Sequence, residues 1–143
     1  MFTLEQIKAA HSKVRSGADF PNYIQDLIKL GITGYETYVS DGHTSYNGTE
    51  GYTISSGTKY DTLAIAEKSS PERFKKELKE HQQGKTGYPA FCKMSAETGV
   101  EKWVVDMAKM TCSYYDKAGN GMLVETIPNK HVRKKQEPKL KLS

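Results

Sequence analysis

Hydrophobic positions recur every three or four residues in four segments of the chain, which is the spacing of amphipathic helices. Thr3 followed by Gln6 is a capping-box pattern and marks the start of the first helix. Proline in a first turn and glycine just past an end give the other bounds. The predicted helices run from Thr3 to Gly17, from Asp19 to Gly31, from Ser70 to Gly84 and from Tyr88 to Gly99.

Short runs rich in β-branched and aromatic residues predict strands between and after these helices. Asn47-Gly48 predicts a hairpin turn between the second and third strands. The run from Thr62 to Ala66 predicts a further, buried strand. We expect an α+β fold with about four helices and a mainly antiparallel sheet. The predicted strands cover residues 32–40, 44–46, 52–55, 62–66, 100–107, 110–115 and 122–127.

The two halves of the chain repeat this order of elements at a fixed spacing. A shift of 68 residues brings similar residues together without a gap. We therefore predict one domain, residues 1–128, built from a pseudo-duplicated helix–helix–strand–strand unit whose halves cover 3–66 and 71–127. The matched pairs include Pro21 with Pro89, Gly31 with Gly99, Tyr35 with Trp103 and Tyr46 with Tyr114.

The net charge of +4 comes from the end of the chain. Residues 130–143 hold six basic side chains and one acidic one, so the remainder is close to neutral. We expect residues 129–143 to form a flexible basic tail that binds nucleic acid at most weakly, through phosphate contacts. The folded part carries no excess positive charge, and we do not expect it to bind nucleic acid.

The features that the sequence lacks indicate the compartment of the protein and whether it needs a cofactor. No apolar run approaches the roughly 20 residues that span a bilayer, and the first residues do not resemble a secretory signal. We therefore expect a cytoplasmic protein in which Cys92 and Cys112 are free thiols. Histidines and cysteines do not fall at metal-ligand spacings, and no phosphate-binding glycine loop occurs, so we expect no metal and no other cofactor.

The segment around Asp41-Gly42-His43 is the candidate for catalysis. An acid can orient a histidine, and a histidine can exchange protons near neutral pH, so Asp41 and His43 are the candidate catalytic residues. The sequence places no recognisable nucleophile beside them. A polar hairpin loop explains the same residues, and we favour a protein that is not an enzyme.

Tyrosines are the candidate binding residues, because a ring with a polar tip is enriched at recognition surfaces. Tyr35 and Tyr38 have opposite parity on one strand, so at least one of them faces away from the core of a sheet covered on one side. The candidate binding residues are Tyr38, Tyr46, Tyr114 and Tyr115.

Several sequence runs spread over residues 2–128 resemble the YdfO-like family, which includes YbcV. These runs are Asp19-Phe20-Pro21, Gly34 to Gly42, His81-Gln82-Gln83-Gly84, Gly99 to Asp106 and Met110 to Asp116. The family comprises short bacterial proteins that are often encoded in prophages. The resemblance implies a compact α+β fold and a bacterial or phage origin, and it carries over no catalytic motif. Some relatives are labelled phage envelope protein, but this chain has no membrane segment or fibrous repeat to match that label.

The sequence favours a non-enzymatic protein-interaction or phage accessory factor whose partner is an unknown protein, with the chain a monomer or a homodimer. One alternative is a small-ligand-binding protein or enzyme with a site between the two halves, around His43. A further alternative is weak nucleic-acid binding through the basic tail.

Overall fold

A computed structural model describes residues 1–14 and 19–127. The helices are α1 (Leu4–His11), α2 (Phe20–Lys29), α3 (Pro71–Gln82) and α4 (Tyr88–Glu97). The strands are β1 (Ile32–Tyr38), β2 (Thr44–Gly48), β3 (Thr53–Ser55), β4 (Val100–Asp106), β5 (Thr111–Asp116) and β6 (Gly121–Thr126). The basic tail predicted over residues 129–143 lies outside the described residues.

All six strands form one antiparallel sheet in the order β3-β2-β1-β4-β5-β6. Strands β1 and β4 are neighbours at its centre and join the first three strands to the last three. The α+β class, the four helices and the antiparallel sheet predicted from the sequence are confirmed.

The four helices cover one face of the sheet, here called the inner face. In the second half of the chain this face is filled by large rings: Phe74 of α3 lies 4.9 Å from Tyr114, and Phe91 of α4 lies 5.6 Å from Trp103, measured between ring centroids. All four of these side chains are buried. The opposite, outer face carries half-exposed polar and aromatic residues, and Val124 there is 61% exposed.

The capping box at the start of α1 is confirmed. The Gln6 N–H donates to Thr3 Oγ1 at 3.2 Å, and the Thr3 N–H donates to Gln6 Oε1 at 2.9 Å. The helix itself ends at His11, before the predicted end at Gly17.

The strand predicted from Thr62 to Ala66 is wrong. The Leu63 N–H donates to the Ser40 carbonyl at 2.7 Å, and the Ala66 N–H donates to the Ala96 carbonyl at 2.9 Å. These acceptors belong to two different parts of the fold, so the segment crosses between them and pairs with no single strand. Its apolar residues are half-buried by this crossing, which explains the strand-like pattern.

The hairpin predicted between the second and third strands is confirmed, but its turn lies directly after Asn47-Gly48. Asn47 pairs with Thr53 inside the β2–β3 ladder, and the chain reverses in a short 3-10 turn over Thr49–Gly51. Gly48 has extended backbone, with φ −122°. A Cβ there would lie 2.7 Å from the Phe2 ring, so this glycine permits a close contact rather than a turn.

The β1–β2 and β4–β5 pairings share one pattern. Tyr35 pairs with Tyr46 in the first and Trp103 with Tyr114 in the second, both on the inner face. The register of each pairing shifts near the start of its first strand, between residues 32 and 34 and between residues 100 and 102.

Candidate ligand-binding cavity

A cavity of about 1050 Å³ lies over the inner face of β1 and β2. Its walls come from α1, α2 and α4 and from the loop segment 59–63. Cavities of roughly 300–1,000 Å³ enclose drug-sized organic molecules, so this space has the size of a binding site. Because α4 follows the first six elements in the chain, the cavity is built from both halves.

The cavity lies where α1 brings smaller side chains to the sheet than α3 does in the second half. The side chains that α1 buries are Ile7 and Ala10, whereas α3 buries Phe74 and Leu78. Phe74 fills the space above Tyr114 in the second half. The residues of α1 leave the corresponding space above β1 and β2 open.

Tyrosine rings form much of the cavity wall. The rings of Tyr35 and Tyr46 lie 5.6 Å apart, and the Tyr23 and Tyr46 hydroxyls interact electrostatically. Burial raises the pKa of Tyr23, Tyr46 and Tyr88, so these phenols remain protonated and neutral. The wall therefore offers rings for stacking and neutral hydroxyls for hydrogen bonding. The cavity-lining tyrosines are Tyr23, Tyr35, Tyr46, Tyr60 and Tyr88.

Two threonines add hydroxyls to the sheet side of the cavity. Thr37 and Thr44 pair across β1 and β2, and their Oγ1 atoms are 2.9 Å apart. Both are buried and both line the cavity. Each hydroxyl can both donate and accept, so the pair keeps capacity for a further hydrogen bond to a bound molecule.

Tyr60 connects the cavity to the turn between β1 and β2. Its hydroxyl donates to the Val39 carbonyl at 2.6 Å, and the Lys59 N–H donates to the Asp41 carbonyl at 2.8 Å. A Cβ on Gly42 would lie 2.7 Å from the Tyr60 ring. The turn and the loop are thus fixed to each other, with Tyr60 as part of the cavity wall.

Cys92 contributes a thiol to the cavity. It is buried on α4 and interacts electrostatically with Tyr60 and Tyr88. Cys112 lies on β5 beside Tyr114 and does not line the cavity. Both cysteines are unbridged, as the sequence predicts.

Charged side chains lie at the mouth of the cavity. Lys8 and His11 come from α1, Lys59 and Asp61 from the loop, and Lys93 from α4. All five residues are exposed. The His11 ring also packs edge-on against the Tyr23 ring, at 5.3 Å between centroids, and so links the mouth to the tyrosine wall.

The comparison with protein families gives one match. A family described as "Protein of unknown function (DUF1398)" matches residues 8–126. The chain belongs to this family. The DUF1398 region includes all six strands and every cavity-lining residue except Ile7. No curated protein matches the chain.

The structure places the candidate catalytic pair of this DUF1398 protein away from the cavity. His43 Nδ1 donates to Asp41 Oδ1 at 2.6 Å, and this hydrogen bond lowers the pKa of the Asp41 carboxyl. The His43 ring stacks on Tyr38 at 4.6 Å, on the outer face. Neither residue lines the cavity, and a site around His43 stays a prediction.

The Asp41–His43 pair belongs to a hydrogen-bonded group on the outer face. The Tyr38 hydroxyl donates to Glu36 Oε1 at 2.8 Å, and Lys102 Nζ donates to the same oxygen at 3.2 Å. Every polar group named here has a partner within the group. This arrangement braces the β1–β2 turn.

The candidate binding tyrosines separate onto the two faces. Tyr38 and Tyr115 are half-exposed on the outer face, whereas Tyr46 is 8% exposed and Tyr114 is fully buried on the inner face. The alternation of side chains along β2 and β5 directs Tyr46 and Tyr114 under the helices. They therefore cannot belong to an exposed aromatic surface, and Tyr46 instead lines the cavity.

Sequence reasoning missed Tyr23, Tyr60 and Tyr88 as site residues. Tyr23 fits the apolar stripe of a helix, and the other two flank segments whose path is set by tertiary contacts. One feature of the paired strands β1 and β2 nevertheless indicated the site. Their successive inner positions Tyr35, Thr37, Thr44 and Tyr46 all carry hydroxyls, which is unusual for a core-facing surface.

Among the described residues there is neither a cluster of metal-ligating side chains nor a helix able to span a membrane. In the parts of the chain that the structure describes, no three His, Cys, Asp or Glu side chains are grouped as ion ligands. None of the described helices combines the length and apolarity that crossing a membrane requires.

Proposed function

We propose that the protein binds a small organic molecule in the cavity over β1 and β2. The observation that carries the proposal is a ligand-sized cavity whose wall combines tyrosine rings with buried hydroxyls. Each of these hydroxyls can both donate and accept, so those already hydrogen-bonded within the protein keep capacity for a further hydrogen bond to a ligand. The ring-filled core of the second half shows that the same sheet can be packed without such a cavity.

The chemistry of the wall favours binding over catalysis. Its buried groups are neutral phenols, threonine hydroxyls and one thiol, and the ionised side chains are confined to the mouth. General acid–base catalysis needs a titrating group within reach of the reacting atoms. The described buried wall can hold a molecule by stacking and hydrogen bonds, and the histidine that lines the cavity, His11, lies at its exposed mouth.

An NMR titration with the neutral probe 2-naphthol tests the proposal. We expect amide shifts in α1, α2, β1, β2 and α4, because these elements line the cavity. In a Cys92→Phe variant the added ring enters the cavity, and the shifts are expected to disappear. Ser113→Phe, which places the same ring on the outer face of β5, is the matched control and keeps them.

Thermal unfolding of both variants separates blocked binding from misfolding. A folded Cys92→Phe protein that binds 2-naphthol as well as the unmodified chain does would contradict the proposal. So would shifts centred on the outer face.

A protein-interaction role is the second candidate, and one observation favours it. Tyr38, Lys102 and Tyr115 are neighbours in register on the outer face, which gives two half-exposed rings on either side of a lysine. A purified binding partner that is lost with Tyr38→Ser and Tyr115→Ser, while 2-naphthol binding persists, would support this role. Retention of the partner by both variants would oppose it.

The YdfO-like assignment, the prophage origin and the accessory role stay predictions, as does the cytoplasmic location. Nucleic-acid binding by residues 129–143 also stays a prediction. This prediction requires that the affinity for nucleic acid falls as the salt concentration rises and is lost when the chain is truncated after Pro128.

We also propose that the two halves are an internal repeat. Tyr35 pairs with Tyr46, and 68 positions further along the chain Trp103 pairs with Tyr114. The register shifts of the two pairings also lie 68 residues apart. Glu36 and Val104, themselves 68 apart, face each other in the central pairing, where a pseudo-twofold axis would pass. An experimental structure with a different register in one hairpin would contradict the repeat.

A further inference from the structure

The charge around the mouth of the cavity is mainly positive. Three lysines, Lys8, Lys59 and Lys93, surround it from three different elements, together with His11 and a single carboxylate, Asp61. Within the described residues, none of the three lysines has a carboxylate within 4.0 Å of its ammonium group. Their charge is therefore available to a bound molecule.

The buried wall of the cavity imposes an orientation on such a molecule. Its phenols stay neutral and its threonine hydroxyls are uncharged, so an ionised group inside would lose its hydration without a counter-charge. The same group at the mouth keeps its contact with water and meets the lysines. A ligand with one apolar end and one anionic end therefore fits in only one direction.

The rings in the wall indicate what the apolar end of the ligand is. Tyr23, Tyr46 and Tyr88 contribute rings to the wall, and the Tyr35 ring lies 5.6 Å from that of Tyr46. Aromatic rings favour offset-stacked and edge-to-face contacts with other rings. A flat aromatic body can make both kinds of contact here, with an acceptor atom within reach of the hydroxyls.

The cationic side chains at the mouth indicate which anionic group the ligand carries. Dianionic phosphate groups are typically held by the paired donors of arginine or by several backbone N–H groups. The described mouth presents lysines on separate elements and no arginine. Lysine also binds phosphate as a point charge, but a mouth without paired donors favours a group with a single negative charge, such as a carboxylate.

Resting on the proposed function, we propose that the ligand is an aromatic carboxylate, bound with its ring among the tyrosines and its carboxylate at the lysines of the mouth. The proposal is tested by comparing 2-naphthoate with 2-naphthol, which share a ring system and differ in charge. NMR titrations give the Kd of each.

Lys8→Gln, Lys59→Gln and Lys93→Gln each remove one charge from the mouth. We expect each change to weaken 2-naphthoate binding about two- to fivefold, the range of a solvent-screened charge pair, and to affect the uncharged 2-naphthol less. Added salt should weaken only the naphthoate. Lys109→Gln, an exposed lysine outside the cavity, is the matched control and should change neither Kd.

The outcomes separate this proposal from the function on which it rests. Equal Kd values for the two probes, with no effect of the lysine variants, would overturn the carboxylate proposal and leave the cavity as a binding site. Tighter binding of 2-naphthyl phosphate than of 2-naphthoate would overturn it in favour of a phosphate. Failure of both naphthoate and naphthol to bind would overturn the proposed function itself.

Discussion

The Tyr23–Tyr46 hydroxyl pair is the polar contact that connects α2 to the sheet inside the cavity. Tyr46→Phe removes one hydroxyl at nearly constant volume. We expect it to weaken 2-naphthol binding and to lower the free energy of unfolding by about 1 kcal/mol, since Tyr23 loses a partner. Urea denaturation and NMR titration measure the two effects.

Tyr52→Phe is the control for this substitution. The Tyr52 hydroxyl donates to the Phe2 carbonyl at 2.8 Å, outside the cavity. It should cost stability in the same way but leave 2-naphthol affinity unchanged. Equal affinity in the Tyr46→Phe and Tyr52→Phe proteins would show that the Tyr46 hydroxyl does not contact the bound probe.

The two thiols provide a second test at the residue scale. Both cysteines are buried, but Cys92 lines the cavity whereas Cys112 does not. A small thiol reagent such as methyl methanethiosulfonate should therefore modify Cys92 first in the folded protein. Peptide mass mapping over time measures the order.

Bound 2-naphthol should slow the modification of Cys92, because the two compete for the same space. Modification of Cys112 at the earlier times, or a Cys92 rate that saturating 2-naphthol does not change, would contradict the position of the cavity. A Cys92→Ser protein gives the background rate of Cys112.

At the scale of elements, the β1–β2 turn and the loop segment 59–63 are held together by direct hydrogen bonds. Gly42 has φ +78°, and a Cβ there meets the Tyr60 ring. Gly42→Ala should destabilise the fold by about 1–3 kcal/mol through backbone strain and should also displace Tyr60. Thermal unfolding and 2-naphthol titration report the two consequences.

Gly51→Ala separates these effects. Gly51 also has a positive φ, of +77°, but a Cβ there would meet nothing within 4 Å. It should therefore show the strain alone, with 2-naphthol binding intact. Unchanged binding in Gly42→Ala would mean that Tyr60 is not required as a wall of the site.

Local patterns predicted most of the elements because each signal acts within a few residues. The Thr3–Gln6 capping box and the glycines that end helices belong to this kind. The shifted turn after Asn47-Gly48 and the wrong strand at 62–66 have a common cause. Gly48 is required by its close contact with the Phe2 ring, and the 62–66 segment is hydrogen-bonded to residues far away in sequence.

At the scale of the whole molecule, stability in acid should depend on the Asp41–His43 pair. The hydrogen bond from His43 lowers the pKa of Asp41 below the roughly 3.9 of an unfolded aspartate. The ionised carboxylate therefore stabilises the fold above that pH, and the contribution is lost as the pH falls through the lowered pKa. Asp41→Asn should lower stability near pH 7 but change it little near pH 2.

Urea denaturation across this pH range measures the effect. The double variant Asp41→Asn with His43→Gln should be no less stable near pH 7 than the sum of single changes implies, because the two residues share one interaction. A constant loss from Asp41→Asn at every pH would contradict the assignment.

The cavity itself could not be predicted, because it depends on volume missing from several elements at once. The hydroxyls of Thr37, Thr44 and Tyr46 on one inner face were a partial signal. Whether Ile7 and Ala10 fill the space above them depends on how α1 packs, and a periodic pattern does not contain that information.

A crystal structure of the protein with 2-naphthol tests the central claim most directly. The account predicts the naphthol ring inside the cavity, within about 4 Å of the Tyr46 and Tyr88 side chains, a distance that marks apolar contact. An empty cavity at saturating 2-naphthol, or the ring bound on the outer face beside Tyr38 and Tyr115, would contradict it.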